Sequence, residues 1–271
     1  MIKIFTFAFL LLSISTFAQN LVINPSFEDS IVVNTIRPFS SKGWLDDVAY
    51  SSVDLFSAAN FEDSGYAVPN TYLGFHHAYD GDSFIGLLLF SWSGNLEHIT
   101  GSLSSPMLKD SLYQISFHIK YPGDSCMIYS KFIEVLFSGT KPKSKFGEPF
   151  FERCFSEKCP VADLKINIEE TVTNKDWVKC QAVYKAKGNE KYFTLGIFYQ
   201  NKDFFKLSKK YNSTLLDYKK QSKFLRNTEL FPVFINKNQH VDLTNKSYAY
   251  RFNIATAYYF IDDVFIEPYH P

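Results

Sequence analysis

Between Leu112 and Lys120 the chain alternates with a period of two. Tyr113, Ile115, Phe117 and Ile119 interleave with Gln114, Ser116, His118 and Lys120. Only a strand puts every second side chain on one face, so this stretch cannot bury its apolar residues as a helix. Val178, Cys180, Ala182 and Tyr184 repeat the pattern against Lys179, Gln181 and Lys185. Lys187-Gly188-Asn189-Glu190 then reads as a turn into a further strand over 192–199, which predicts a hairpin. A last strand runs from Phe260 to Ile266 and is closed off by Pro268. Many short strands with Gly, Pro, Asn and Asp between them predict an all-β sandwich or barrel.

The opening of the chain has a different logic. Met1-Ile2-Lys3 supplies a positive start, Ile4 to Ile14 is nearly all apolar, and Ser15-Thr16-Phe17-Ala18 places small residues before a cut. That is the layout of a secretory signal peptide over residues 1–19, its apolar core too short for a spanning helix. The expected product is an exported protein of the periplasm, cell surface or exterior, a single domain over 20–271 of roughly 250 residues. No later run is apolar and long enough to span a bilayer. Formal net charge is zero, so no field recruits nucleic acid. Aromatic residues make up 18% of the chain, which suits strands and leaves rings for a binding face.

In an exported chain four cysteines favour disulfides. Cys154 and Cys159 lie five apart in a loop-like stretch, and closing them locally leaves Cys126 to pair with Cys180. Zinc is the rival reading of C-x4-C, and unpaired thiols are the third. Two segments break the strand rhythm. Residues 141–160 read as a long loop. Residues 201–250 form a lysine-rich insertion in which Phe205, Leu207, Tyr211, Leu215 and Tyr218 have a weak helical rhythm. Such a basic excursion is ordinarily a solvated face, although it suits acidic polysaccharide or lipid headgroups.

Asn20-Leu21-Val22-Ile23-Asn24-Pro25-Ser26-Phe27-Glu28, then Gly43-Trp44, and finally Ile261-Asp262-Asp263-Val264 stand in an informative order. They resemble the opening strand and closing strand of carbohydrate-binding-module-like jelly rolls, which share the galactose-binding-domain-like fold. Val68 to Phe75, Asp80 to Gly86, Ser105-Pro106-Met107-Leu108 and Asp176-Trp177-Val178 look like one subgroup of these. It is found at the N-terminus of bacterial cell-surface proteins of the outer-membrane-protein-A family. The resemblance implies a two-sheet antiparallel jelly-roll β-sandwich, with the basic, partly helical insertion before its last strand. It also implies a structural calcium tying the first strand to the last through Glu28 and Asp262, completed by backbone carbonyls, a hard-oxygen set that suits this cation. In the residues alone, Phe260, Asp262, Val264 and Ile266 share one face of an alternating strand. That places Asp262 among apolar neighbours, where it must ligate a cation or accept hydrogen bonds.

The expected function is non-catalytic binding of a glycan, with a structural or adhesive role toward cell-envelope proteins as the alternative and a polysaccharide-active enzyme third. Gly81-Asp82-Ser83 resembles the nucleophile block of Gly-Asp-Ser lipases, and Glu267-Pro268-Tyr269-His270 offers an acid and a base. That family needs alternating strands and helices, which this chain lacks. Asp46-Asp47, Glu169-Glu170 and Asp262-Asp263 are adjacent pairs, and neighbours on a strand point to opposite faces, so none can flank one glycosidic bond. A sugar would instead be held by rings stacked on the pyranose face, with polar groups reading the hydroxyls. Trp92, Tyr79, His76 and His77 cluster around one predicted hairpin and are the candidate binding residues. The resemblance implies that Trp44 and Trp177 are core residues.

Overall fold

The computed structural model describes residues 19–30, 41–46, 53–91, 96–122, 128–142, 160–168, 176–198, 233–235 and 256–271. In chain order the strands are β1 (Trp44–Asp46), β2 (Asp54–Ser57), β3 (Asn70–Thr71), β4 (Gly74–Phe75), β5 (Ser83–Ser91), β6 (Ile99–Ser102), β7 (Leu112–Lys120), β8 (Ile128–Ser130), β9 (Phe132–Ser138), β10 (Leu164–Asn167), β11 (Val178–Lys185), β12 (Tyr192–Gly196), β13 (Val233–Ile235) and β14 (Thr256–Pro268). Ten of them build two five-stranded sheets, in the orders β1-β6-β12-β9-β10 and β11-β7-β14-β5-β2. Every strand pairing in both is antiparallel. The protein is an antiparallel β-sandwich.

The alternation read in the sequence sets the core. Tyr113, Ile115, Phe117 and Ile119 of β7 and Cys180 and Tyr184 of β11 face inward. They meet Ile133, Val135 and Phe137 of β9 and Phe193 and Leu195 of β12 on the opposing sheet. Gly101 of β6 holds the space for two rings: a Cβ there would lie 2.3 Å from Phe193 and 2.9 Å from Trp44. Trp44 is buried, as the resemblance implies. Fully burying one such aromatic side chain contributes about 1.5–3 kcal/mol.

Strand β5 and the first part of β14, up to Asp262, are buried on both faces, which fits the continuous apolar run from Phe84 to Phe90. Their outer face carries a second cluster of Phe56, Leu73, Phe84, Leu88, Tyr258 and Phe260. It is covered by the segment between β2 and β5, which contributes Tyr66, Val68, Tyr72 and Ala78. Among the described residues that cover ends at residue 78; beyond it the outer residues of β11 are exposed, while Ser116 and His118 of β7 are themselves buried.

Three sequence expectations are corrected. β11 and β12 do not form a hairpin: β11 pairs with β7 in one sheet, while β12 pairs with β6 and β9 in the other. The turn at 187–190 is therefore a corner between sheets. Gly188 and Asn189 take left-handed conformations there, and Glu190 Oε1 accepts the Lys187 N–H at 2.6 Å and the Tyr184 hydroxyl at 3.0 Å. The opening Asn24–Glu28 motif is a turn rather than a strand, with Asn24 and Phe27 at φ 55° and 62°. The Trp44 indole donates to the Asn24 carbonyl at 2.7 Å. On β14 the pairing register shifts between Asp262 and Phe265, with Asp263 left-handed at φ 52°. This β-bulge re-aims the residues on either side. Asp262 joins Phe260 on the outer face, while Val264 and Ile266 turn into the main core.

Other expectations fall on undescribed residues. The signal peptide, Trp92, Cys126, Cys154 and Cys159 lie outside the described residues, as does nearly all of the 201–250 insertion. Its described part is β13, which pairs with β8. Cys180 is buried on β11.

Candidate functional site

The turn 79–83 links the flap over the second cluster to β5, and two carboxylates grip it. Asp262 Oδ2 accepts the Tyr79 and Asp80 N–H groups at 2.8 and 3.0 Å, and its Oδ1 accepts the Asp263 N–H at 2.7 Å. Glu28 Oε1 accepts the Asp82 and Ser83 N–H groups at 2.9 and 2.8 Å. Gly81, at φ +66°, is required here because a Cβ would sit 2.5 Å from Glu28 Oε1. Ser26 Oγ adds a bond to Asp80 Oδ2 at 2.9 Å. The opening turn and the last strand thus meet on one loop, and that loop presents Tyr79. Ser83 is buried, its hydroxyl 3.1 Å from Ser57 Oγ.

Asp262 is fully buried, and burial raises its carboxyl to about 8 against three N–H bonds that favour the charged form. Glu28 Oε2 has a single 3.5 Å contact with Ser83 Oγ. A carboxylate offers about four lone-pair sites, so both side chains keep capacity for a hard cation. Among the described residues no three His, Cys, Asp or Glu side chains gather in a metal-holding group. A calcium here would draw its other ligands from main-chain carbonyls.

Tyr79 is 49% exposed and stacks flat on His118, ring centroids 3.4 Å apart and planes 12° apart. His118 projects from the polar side of β7, and its Nδ1 lies 3.0 Å from Asp263 Oδ2. Desolvation lowers the His118 pKa, with Asp263 opposing and Lys179 reinforcing the drop. Trp177 packs half-buried against the second cluster, its indole N–H donating to the His77 carbonyl at 3.1 Å. The Lys120 ammonium lies 5.8 Å from the centre of the Trp177 ring. Burial lowers the Lys120 pKa, and Asp176 opposes it.

Of the residues singled out in the sequence, Tyr79 and His77 are exposed at this rim. Phe75, 66% exposed, meets His77 edge-on at 5.0 Å. His76 points the other way: it is buried, its ring 4.9 Å from Phe260 and Nε2 3.4 Å from the Leu73 carbonyl. Trp177 belongs to the rim rather than to the main core. His118 and Lys120 were missed as site residues. Their position on the polar face of β7 was the signal, but the loop and bulge that complete the site are remote in sequence.

Fold and site together define, among the described residues, a β-sandwich with a polar sheet face that has aromatic rings at its rim. No protein-family model matches the chain, and no curated protein matches it in sequence. Among solved structures it is similar to an adhesin domain of Lys-gingipain from Porphyromonas gingivalis, at 11% identity and TM-score 0.39, covering 93% of this chain and 99% of that one. It is also similar to the CBM22-1 xylan-binding domain from Paenibacillus barcinonensis, at 12% identity and TM-score 0.34, with 90% of each chain covered. A candidate sugar-binding protein from Bacteroides thetaiotaomicron is similar at 10% identity and TM-score 0.35, covering 93% of this chain and all of that one. Likenesses this distant carry no functional argument. No helix among the described residues is long and apolar enough to cross a membrane.

Proposed function

We propose that the protein is an exported, non-catalytic module that binds glycan at the cell surface or outside the cell. The supporting observation is the Tyr79–Trp177 rim beside Lys120 and the exposed Lys179: rings for the apolar face of a sugar, with donors within reach of its hydroxyls. Tyr79 stands clear of both apolar clusters, so its substitution probes binding without opening the core. In affinity electrophoresis against β-glucan, xylan, mannan, chitin and alginate, the protein is expected to be retarded by at least one polymer without releasing reducing ends. Tyr79→Ala is expected to weaken that binding about tenfold, equivalent to about 1.4 kcal/mol. Full retention of affinity by Tyr79→Ala would move the site elsewhere, and release of reducing ends would make the protein an enzyme.

Calcium is part of the same proposal. Glu28 and Asp262 would hold it, and its charge would offset the buried carboxylate while fastening the opening turn to the last strand. The melting temperature is expected to fall reversibly in EDTA, because a ligand at a hundredfold excess over Kd adds about 2.7 kcal/mol to the folded state. Glu28→Ala is expected to abolish that response. An identical melting temperature with EDTA and with calcium removes the metal.

A further inference from the structure

The bulge in β14 does more than turn Asp262 outward. Asp262 and Phe265 are three residues apart, so on a regular strand they would face opposite sides. With Asp263 taken up in the bulge, Val264 and Ile266 are fully buried in the main core, and Phe265 between them projects from the outer face. It belongs to neither apolar cluster, is part-exposed, and pairs in register with Ser116 of β7. Ser116 is only 4% exposed, a small recessed residue between the Phe265 ring and Gln181 of β11.

The outer face can then be followed row by row along β7, where Ser116 and His118 are recessed and the neighbouring β11 residues Lys179, Gln181 and Val183 are exposed. Lys120 lies beside Trp177, and His118 pairs with Lys179 and sits under Tyr79. Ser116 lies between Phe265 and Gln181, and Gln114 between Glu267 and Val183. Gln114 Nε2 donates to Gln181 Oε1 at 3.3 Å, tying the last two rows together. Rows on one strand face are about 6.8 Å apart, so the strip from Lys120 to Gln114 is about 20 Å long. That is about four pyranose units of an extended chain, with one ring platform at Tyr79–Trp177 and a second at Phe265. A terminal sugar would touch only one of them.

We propose that this face takes an internal stretch of an extended linear polysaccharide lying along β7, with Phe265 as its second stacking platform and the Gln114–Gln181 pair reading hydroxyls beside it. The inference rests on the glycan reading above and names the ligand's shape and a further binding residue. Titration calorimetry with cello-, xylo-, manno- and chito-oligosaccharides and alginate oligomers of one to six units tests it, using the full chain. For the ladder matching the retarding polymer, affinity is expected to climb with length and level off at about four units. Phe265→Ala is expected to lower affinity for oligomers of two or more units about tenfold and leave the one-unit ligand unchanged, whereas Tyr79→Ala weakens every length. Phe265→Leu, which keeps the bulk but not the ring, is expected to behave like Phe265→Ala if stacking is the cause. A monosaccharide binding as tightly as a tetramer, or a Phe265→Ala protein with unchanged affinity for the hexamer, overturns the extended-chain inference while leaving the glycan reading intact. Failure of the parent protein to bind any ladder or polymer overturns both.

Discussion

Asp262→Ala is expected to lower the unfolding free energy by about 3 kcal/mol and to weaken glycan binding with it. The substitution relieves the cost of burying a carboxylate, but it strands the N–H groups of Tyr79, Asp80 and Asp263. A buried donor left without its acceptor costs about 1–3 kcal/mol, and losses within one network do not simply add. The second consequence is local. Tyr79 owes its placement over His118 to the backbone bonds that Asp262 accepts, so losing them loosens the ring platform as well as the fold. Urea denaturation should show a lower midpoint with an unchanged slope. A variant within 0.5 kcal/mol of the parent, by the usual scale of surface substitutions, would mean that the loop is held by other contacts.

Acidification is the second large effect, and His98 is its source. His98 is 1% exposed, with Nε2 3.0 Å from the Ile197 carbonyl and its ring 4.9 Å from Phe198. Burial lowers its pKa from 6.5 to about 4, with the bond to Ile197 opposing. The unfolded chain therefore takes up a proton near pH 6.5 that the folded chain refuses until about pH 4. Stability from the neutral, buried ring is present above pH 6.5 and is lost as pH falls through that window. At about 1.4 kcal/mol per pH unit, the loss reaches about 3 kcal/mol. Asp262 acts in the opposite sense. Its raised carboxyl keeps a proton in the folded state that the unfolded chain gives up, so its contribution falls as pH rises from about 4 to about 8. The difference in unfolding free energy between the parent and His98→Gln cancels that contribution and isolates the histidine. It should grow in the parent's favour by about 3 kcal/mol from pH 4 to pH 7. A difference independent of pH would show that the imidazole titrates in the fold as it does in water.

How much of this was readable in the chain depends on whether the signal was local. The alternation through β7 gave the bounds observed, Leu112 to Lys120, because one face of that strand carries apolar core residues and the other carries polar ones. The turn at 187–190 was recognised as a turn, but its residues do not say whether the chain returns to the same sheet or crosses to the other. That is decided by β12, whose two edges are already taken by β6 and β9. The Asp262 face was misassigned because period-two reasoning has no place for an extra residue, and nothing in Ile261-Asp262-Asp263-Val264 marks a left-handed Asp263. The same bulge hid Phe265. Tyr79 and His77 were legible as a ring cluster near a turn. His118 was legible only as a polar residue on a strand, since its stacking on Tyr79 and its pairing with Asp263 join three distant segments. Trp177 read as core only from the position the resemblance gave it; it packs half-buried against the second cluster.

The order of strands in the second sheet has a consequence for how the protein comes into being. β14, the last of the described strands along the chain, lies between β5 and β7 and supplies the partner edge for both. Until it emerges from the ribosome, those two long strands have unpaired inner edges and no neighbour on that side. The sheet cannot close by growing outward from the N-terminal part, because its centre arrives after the strands on either side and bridges pairs about 170 residues apart. The second sheet therefore reaches its native order only once β14 is available to pair with both strands, whereas the first sheet can assemble without it.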